Sequence, residues 1–328
     1  MNIAIIGCGL IGEKRAKAIG SEHRLAFVSD VEYARAERLS QLRPQDQTIP
    51  EVDWRQVVYA KHVDLVIVAT TNEWLASVTL EAVKQGKHVL VEKPAGRHYG
   101  ELMEIIKLSG ENKSKVKVGF NLRYHPGIME AKRIIDSRVL GEVMFIRGRY
   151  GHGGRVGYDR EWRADPNVAG GGELLDQGIH LIDLSRWFIG DFNEISGFTH
   201  TYFWDMPVED NGFVMLKNDA QQVAWLHASC TEWKNTFSFE IYAQKGKLHI
   251  EGLGGSYGVE RLYVYRMLSQ MGPPDTQIFE YPRGDESWKV ELEDFIRSIE
   301  FDRKPNGDIV DAYEALKIID YVYNGDHV

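Results

Sequence analysis

Along the first 120 positions, apolar residues come in short unbroken runs set between stretches of helical period. The runs at 2–6, 25–30, 63–69, 88–92 and 116–120 do not alternate with polar residues, as expected of strands covered on both faces. Helices are predicted between them: one rich in Lys, Arg and Ala up to Ile19, one beginning near Glu32, and others over 74–85 and 99–109. Strand and helix in alternation predict a parallel, doubly wound α/β sheet. Beyond Phe120 the pattern changes. Segments rich in β-branched and aromatic residues recur at 143–150, 194–203, 212–216, 223–229, 238–243 and 247–251, with little helix between them, and predict a large, mainly antiparallel open sheet. Helices are predicted over 127–137, 286–300 and 308–323. The chain thus reads as two domains, 1–121 of α/β type and 122–328 of α+β type.

Composition adds exclusions. Of 328 residues, 43% are hydrophobic and 27% charged, which is the mix of a globular chain long enough for two cores. With 39 basic against 48 acidic residues the net charge is −9, and nucleic acid or an anionic membrane is not expected as the main partner. Cys8 and Cys230 form neither a disulfide framework nor a zinc spacing, and both read as small buried apolar residues. The apolar start lacks a basic leader and is broken by glycines, and no run is long enough to span a bilayer, so the cytoplasm is the expected location.

The chemistry begins where the first strand ends. Gly7-Cys8-Gly9-Leu10-Ile11-Gly12 is a G-x-G-x-x-G pattern between a strand and a helix. The first glycine permits the tight turn, the second lets backbone approach a pyrophosphate, and the third lets the helix pack on the strand. Free N–H groups at the helix start then face the phosphates. Asp30, at the end of the second strand, stands at the spacing expected for a carboxylate that accepts from the ribose hydroxyls, and it would repel a 2′-phosphate, so NAD is preferred over NADP. The competing role for Asp30 is to cap the helix near Glu32. Glu92-Lys93-Pro94 ends another strand at the edge where such sheets bind ligands, and a lysine there can stabilise a developing alkoxide.

A second cluster follows the triple glycine 170–172. In a regular helix Asp176, His180 and Asp183 would form one stripe on an otherwise apolar cylinder. Three readings stand open for it: a satisfied polar network, a metal site, and an acid/base pair. No second histidine stands at ligand spacing, and no metal is expected. The connection holding His152, Arg155, Tyr158, Trp162 and Arg163 can reach a ligand or be a charged surface loop, and Asn121, Arg123 and Tyr124 at the domain junction carry the same two readings. The glycine-rich stretch 252–258 is expected to be a turn, and the lysines in 84–87 and 113–117 are expected to be solvated.

Taken together these motifs resemble the Gfo/Idh/MocA oxidoreductases. The residues that carry the resemblance are Gly7-x-Gly9-x-x-Gly12, Glu92-Lys93-Pro94, Gly119-Phe120-Asn121-x-Arg123-Tyr124-x-Pro126, and the triple glycine leading into Asp176-x-Gly178-x-His180-x-x-Asp183. The resemblance implies a Rossmann domain followed by an open-sheet domain that binds substrate and oligomerises, as a dimer or tetramer. It implies a nicotinamide-dependent oxidation of a secondary alcohol on a sugar, cyclitol or sugar nucleotide, with Lys93, His180 and Asp176 catalytic and Asp183 holding His180. Cofactor contacts are implied at Gly7, Gly9, Leu10, Ile11, Gly12, Asp30, Thr70, Asn72, Glu92 and Lys93. Substrate contacts are implied at Asn121, Arg123, Tyr124, Arg163, Asp176 and His180. The chain departs from the family at Thr70-Thr71-Asn72-Glu73-Trp74-Leu75, where Thr71 and Leu75 replace the usual Pro and His; Trp74 is expected to supply packing there. An NAD-dependent glycoside hydrolase and a non-catalytic dinucleotide sensor are the alternatives.

Overall fold

The computed structural model of the chain describes residues 1–282 and 284–325. By its contacts the chain divides into two units. The first comprises Met1–Asn121, Asn167–Gly170 and Trp288–Glu314; the second comprises Leu122–Pro166, Gly171–Ser287 and the stretch from 315 onward.

In the first unit the five apolar runs, with a short edge strand at 49–51 that lies outside them, become a six-stranded parallel sheet. Its elements are β1 (Asn2–Ile6), α1 (Leu10–Ala18), β2 (Arg24–Ser29), α2 (Tyr33–Ser40), β3 (Ile49–Glu51), α3 (Trp54–Tyr59), β4 (Leu65–Val68), α4 (Asn72–Lys84), β5 (His88–Val91), α5 (Met103–Asn112) and β6 (Val116–Val118). The strand order is β3-β2-β1-β4-β5-β6. The chain therefore leaves β1 in one direction and returns from β4 in the other, and such reversals open a crevice at the carboxyl ends of the two strands. Ile3, Ile5, Leu25, Leu65, Ile67 and Leu90 are fully buried and form the core with Leu292, Phe295 and Ile296 from near the end of the chain.

Two lysines expected in solvent are inside this unit. Lys117, in β6, is fully buried, donates to the Asn306 carbonyl and lies 3.5 Å from Glu291. Lys87 donates to the carbonyls of Ala60 and Val63, both at 2.8 Å. Charge runs were read as solvated faces, but here backbone acceptors and a buried carboxylate supply the partners that water would.

The second unit contains α6 (Pro126–Asp136), β7 (Val143–Gly151), a π-turn (Leu174–Gly178), α8 (Ile179–Ile189), β8 (Glu194–His200), β9 (Asn211–Lys217), β10 (Val223–Ser229), β11 (Thr236–Ala243), β12 (Gly246–Glu251), β13 (Glu260–Arg266) and β14 (Asp275–Tyr281), while the single turn α7 (Pro166–Ala169) carries the chain through the first unit between β7 and the π-turn. The helices α9 (Ser287–Glu300) and α10 (Ile309–Asn324) close the chain. The eight strands lie in the order β14-β13-β12-β11-β7-β10-β9-β8, antiparallel throughout except for the parallel pair β7 and β10. Ile146, Leu226 and Phe239 are buried on one face, where α8 packs, while Phe145, Trp225, Met215 and Phe198 stand exposed on the other. β13 and β14 were not anticipated. Their inward positions are few, Leu262 and Val264 in β13, and β14 is an edge strand with polar residues at most positions.

Register brings five strand termini to one edge. Gly151 pairs with both Ser229 and Thr236, and Asn211 with both Ser229 and His200. The loops after β7, β8 and β10 therefore leave from that edge together, which is also where the π-turn meets β9 and β10.

Candidate functional site

The glycine loop of the first unit is built as its sequence demands. Gly7 has φ of +97°, and a Cβ there would lie 2.3 Å from the Ala69 carbonyl oxygen. A Cβ on Gly12 would lie 2.1 Å from the Gly7 carbonyl oxygen, so helix and turn meet with no room for a side chain. In front of Gly9 there is open space to 4 Å. Leu10 and Ile11 begin α1 at that point, and Leu10 is exposed. Bare backbone, a helix start and an open front are the features a pyrophosphate requires, so the residues fit a dinucleotide.

Asp30 stands beside this loop. Its carboxylate accepts from the Cys8 N–H at 2.8 Å and from the Glu32 N–H at 2.9 Å, so one side chain both braces the glycine turn and caps the approach to α2. A carboxylate has lone pairs left after two such bonds and can still accept from a ribose diol. Burial, with Asp30 close by, pushes the Cys8 thiol up to about 12, and it remains an inert thiol at neutral pH.

Other residues expected around the cofactor have protein partners. Glu92 is buried and ion-paired with Arg15 at 2.6 Å, and Arg15, fully buried, reaches Glu291 at 2.7 Å. The Asn72 amide donates to the Ala169 carbonyl at 2.8 Å, and the Thr70 hydroxyl to the Thr71 carbonyl at 3.1 Å. Lys93, partly exposed, is the second residue beyond β5. Trp74 is half exposed, and the neighbouring Leu75 is fully buried, as are Val78, Ala82 and Val83 further along α4.

In the second unit the polar stripe is not regular. The glycine turn is closed by a bond from Asp176 N–H to the Gly172 carbonyl at 2.9 Å, passes into the π-turn, and α8 follows from Ile179. Such wide turns redirect side chains within a helix. The three stripe residues accordingly meet different neighbours. Asp176 lies 3.5 Å from Arg163, His180 is buried with its ring edge-on to Tyr150 at 6.0 Å, and Asp183 is gripped by Arg123 in a two-pronged pair at 2.6 and 2.8 Å. Asp183 neutralises a buried guanidinium that also lies over Trp187. Asn121, Arg123 and Tyr124 are all buried. Among the described residues no group of three or more His, Cys, Asp or Glu is placed to hold a metal ion.

Two carboxylates that sequence reasoning missed hold the start of this helix. Glu209 accepts from the Gly172 and Leu174 N–H groups at 2.9 and 3.0 Å and from the Tyr323 hydroxyl at 2.7 Å. Burial raises its carboxyl above the usual range against the pull of these donors. The close fit explains two of the glycines: a Cβ on Gly171 would lie 2.3 Å from the Tyr323 hydroxyl, and one on Gly172 would lie 2.0 Å from the Glu209 carbonyl oxygen. Glu173, also buried, accepts from the Tyr158 hydroxyl at 2.6 Å and faces His152 at 3.4 Å. The glycines were the local signal; Glu209 and its donor Tyr323 lie 114 residues apart in sequence.

Comparison with known proteins bears on both units. Residues 1–120 match a model described as an oxidoreductase family with an NAD-binding Rossmann fold, and residues 128–249 match the GFO/IDH/MocA C-terminal domain. Levoglucosan dehydrogenase of Pseudarthrobacter phenanthrenivorans is 30% identical over 171 residues, 49% of this chain and 42% of that protein. Inositol 2-dehydrogenase of Rhizobium meliloti is 25% identical over 334 residues, 98% of this chain and 95% of that one. With the first relatives the match is partial, spanning about half of their length. A solved levoglucosan dehydrogenase in complex with NADH and levoglucosan has a TM-score of 0.88 at 20% identity, covering 99% of this chain and 96% of that one. The aldose-aldose oxidoreductase from Caulobacter crescentus, complexed with glycerol, has a TM-score of 0.82 at 22% identity with the same coverage. At these identities the likeness shows the fold. No helix among the described residues is long and apolar enough to cross a membrane.

Proposed function

The chain belongs to the GFO/IDH/MocA family of oxidoreductases, and on that premise we propose that it transfers a hydride between NAD and a secondary alcohol of a sugar or cyclitol. The observation that carries the reading is the glycine loop, whose bare backbone opens onto free space in front of Gly9 while Gly7 and Gly12 are closed by protein. The substrate class follows relatives named for levoglucosan and inositol. Asp30 favours NAD, since a 2′-phosphate would meet its negative charge.

A nicotinamide dinucleotide held at the Gly7 to Gly12 loop would supply the acceptor for the hydride of the carbinol carbon. His180 accepts the hydroxyl proton at a ring nitrogen, and its burial against Tyr150 fixes the ring for that transfer. Lys93 donates from Nζ to the same oxygen and opposes the charge that builds there as the C–O bond gains double-bond character. Asp176 binds an adjacent hydroxyl, with the Arg163 guanidinium beside it balancing its charge. The test is NADH formation with a panel of inositols, levoglucosan and aldoses, in the parent and in His180→Asn. The variant should bind NADH normally and turn over at least about a hundredfold more slowly. Near-normal turnover would remove His180 from the reaction, and NAD binding without reduction by any sugar would favour a dinucleotide sensor.

A further inference from the structure

Three loops at the edge of the large sheet, 152–158, 201–210 and 230–235, share a small core of their own. Tyr158, Ala164, Met206, Val208 and Cys230 are buried together with Trp204 packed against them. The loops cross so closely that a Cβ on Gly153 would lie 2.8 Å from the Trp233 backbone, and one on Gly154 would lie 2.3 Å from the Trp204 ring. Asp210, fully buried, fastens the second loop by accepting from the N–H groups of Tyr202, Phe203 and Trp204 at 2.8, 2.7 and 3.1 Å. The Trp204 indole N–H donates to the Cys230 carbonyl at 3.0 Å.

This bracing leaves two large rings in water. Phe203 is 58% exposed and Trp233 is 66% exposed, and they stand at 87° with centroids 4.7 Å apart, an open aromatic corner. Trp233 also holds a φ of +57°, which a bulky side chain adopts only where its surroundings impose it. Loops braced in this way have already lost the backbone freedom that binding would otherwise remove. The corner connects with the helix start. Phe203 packs on Trp204 at 5.2 Å, Trp204 on Tyr158 at 5.7 Å, and Tyr158 bonds to Glu173, which leads into the π-turn that carries Asp176.

We propose that Phe203 and Trp233 form a subsite for a second sugar ring, so that the substrate is a glycoside of at least two rings. The proposal rests on the dehydrogenase reading and deepens it. The C–H face of a pyranose is drawn to the negative face of an aromatic ring, and its hydroxyls remain at the edge in water. The corner is flanked in sequence by Asp205 and Lys234, one charge of each sign, which suits a neutral hydroxylated ring over an anion. A second copy of the chain would be drawn first to the exposed face of the sheet, where the apolar residues are more numerous.

The experiment compares glucose and galactose with cellobiose, maltose and lactose in the presence of NAD. Activity and saturation-transfer NMR are read in parallel. In the parent, saturation should reach C–H protons of both rings of a disaccharide. In Trp233→Asn, whose side chain tolerates the backbone at that position, and in Phe203→Ala, the ratio of kcat/KM for two-ring over one-ring probes should fall roughly tenfold through KM, and Trp233→Tyr should restore it. Equal losses for one- and two-ring probes, or no transfer to the second ring in the parent, would overturn the proposal. So would a smaller assembly on sedimentation of Trp233→Asn, since a second copy would then be what covers the corner. If no sugar reduces NAD, the dehydrogenase reading fails on its own, and the NMR still decides the corner.

Discussion

His152 illustrates how one side chain can hold opposing demands. Its Nδ1 accepts the Gly154 N–H at 2.9 Å, and its Nε2 faces Glu173 at 3.4 Å. Burial pulls the imidazole down, but the hydrogen bond and charge of Glu173, with Asp176 behind it, outweigh burial and the repulsion of Arg163, and raise it above 6.5. Protonation strengthens the pair with Glu173 and removes the acceptor for Gly154. Because the folded value is the higher one, the protonated ring's contribution to stability is complete below about 6.5 and is lost as pH rises through the folded value. His152 should therefore titrate above 6.5 by NMR and fall below it in Glu173→Gln; an unmoved titration would show that Glu173 is not its partner.

Among the elements, the glycine turn and its helix were the most legible feature of the sequence and also the most altered by the structure. Gly7, Gly9 and Gly12 could be read because each meets a separate local demand, and the unbroken runs of β1, β4 and β5 could be read because both faces are covered. The π-turn could not, since nothing in Leu174 to Gly178 marks a widened turn. Glu209 could not either, since its donors Gly172 and Tyr323 lie far from it in sequence on opposite sides. The clamp yields a prediction at this scale. Tyr323→Phe removes one donor from a buried carboxylate and should cost about 1–3 kcal/mol in urea unfolding, with a fall in kcat as the helix start loosens. Unchanged stability would mean that the two backbone N–H groups suffice for Glu209.

For the molecule as a whole, the eight-stranded sheet has helices on one face and exposed Phe198, Met215, Trp225 and Phe145 on the other. Patches of this kind are covered in oligomers, so sedimentation should show a dimer or tetramer, and Trp225→Glu should shift it toward monomer. A monomeric parent would leave that face to solvent. The open sheet was legible from alternation, but its last two strands were not, because an edge strand needs few apolar positions. The ion-paired Arg15 has its own consequence for synthesis. Its guanidinium, 276 residues from Glu291 along the chain, is fully desolvated in the fold and needs both Glu92 and Glu291 to balance it. On the ribosome the Rossmann sheet emerges first, yet one of its two counter-charges follows the last strand of the eight-stranded sheet. The first unit thus stays incomplete until the strands of the second have been made, and a chain that stalls between them leaves Arg15 with one of its two counter-charges.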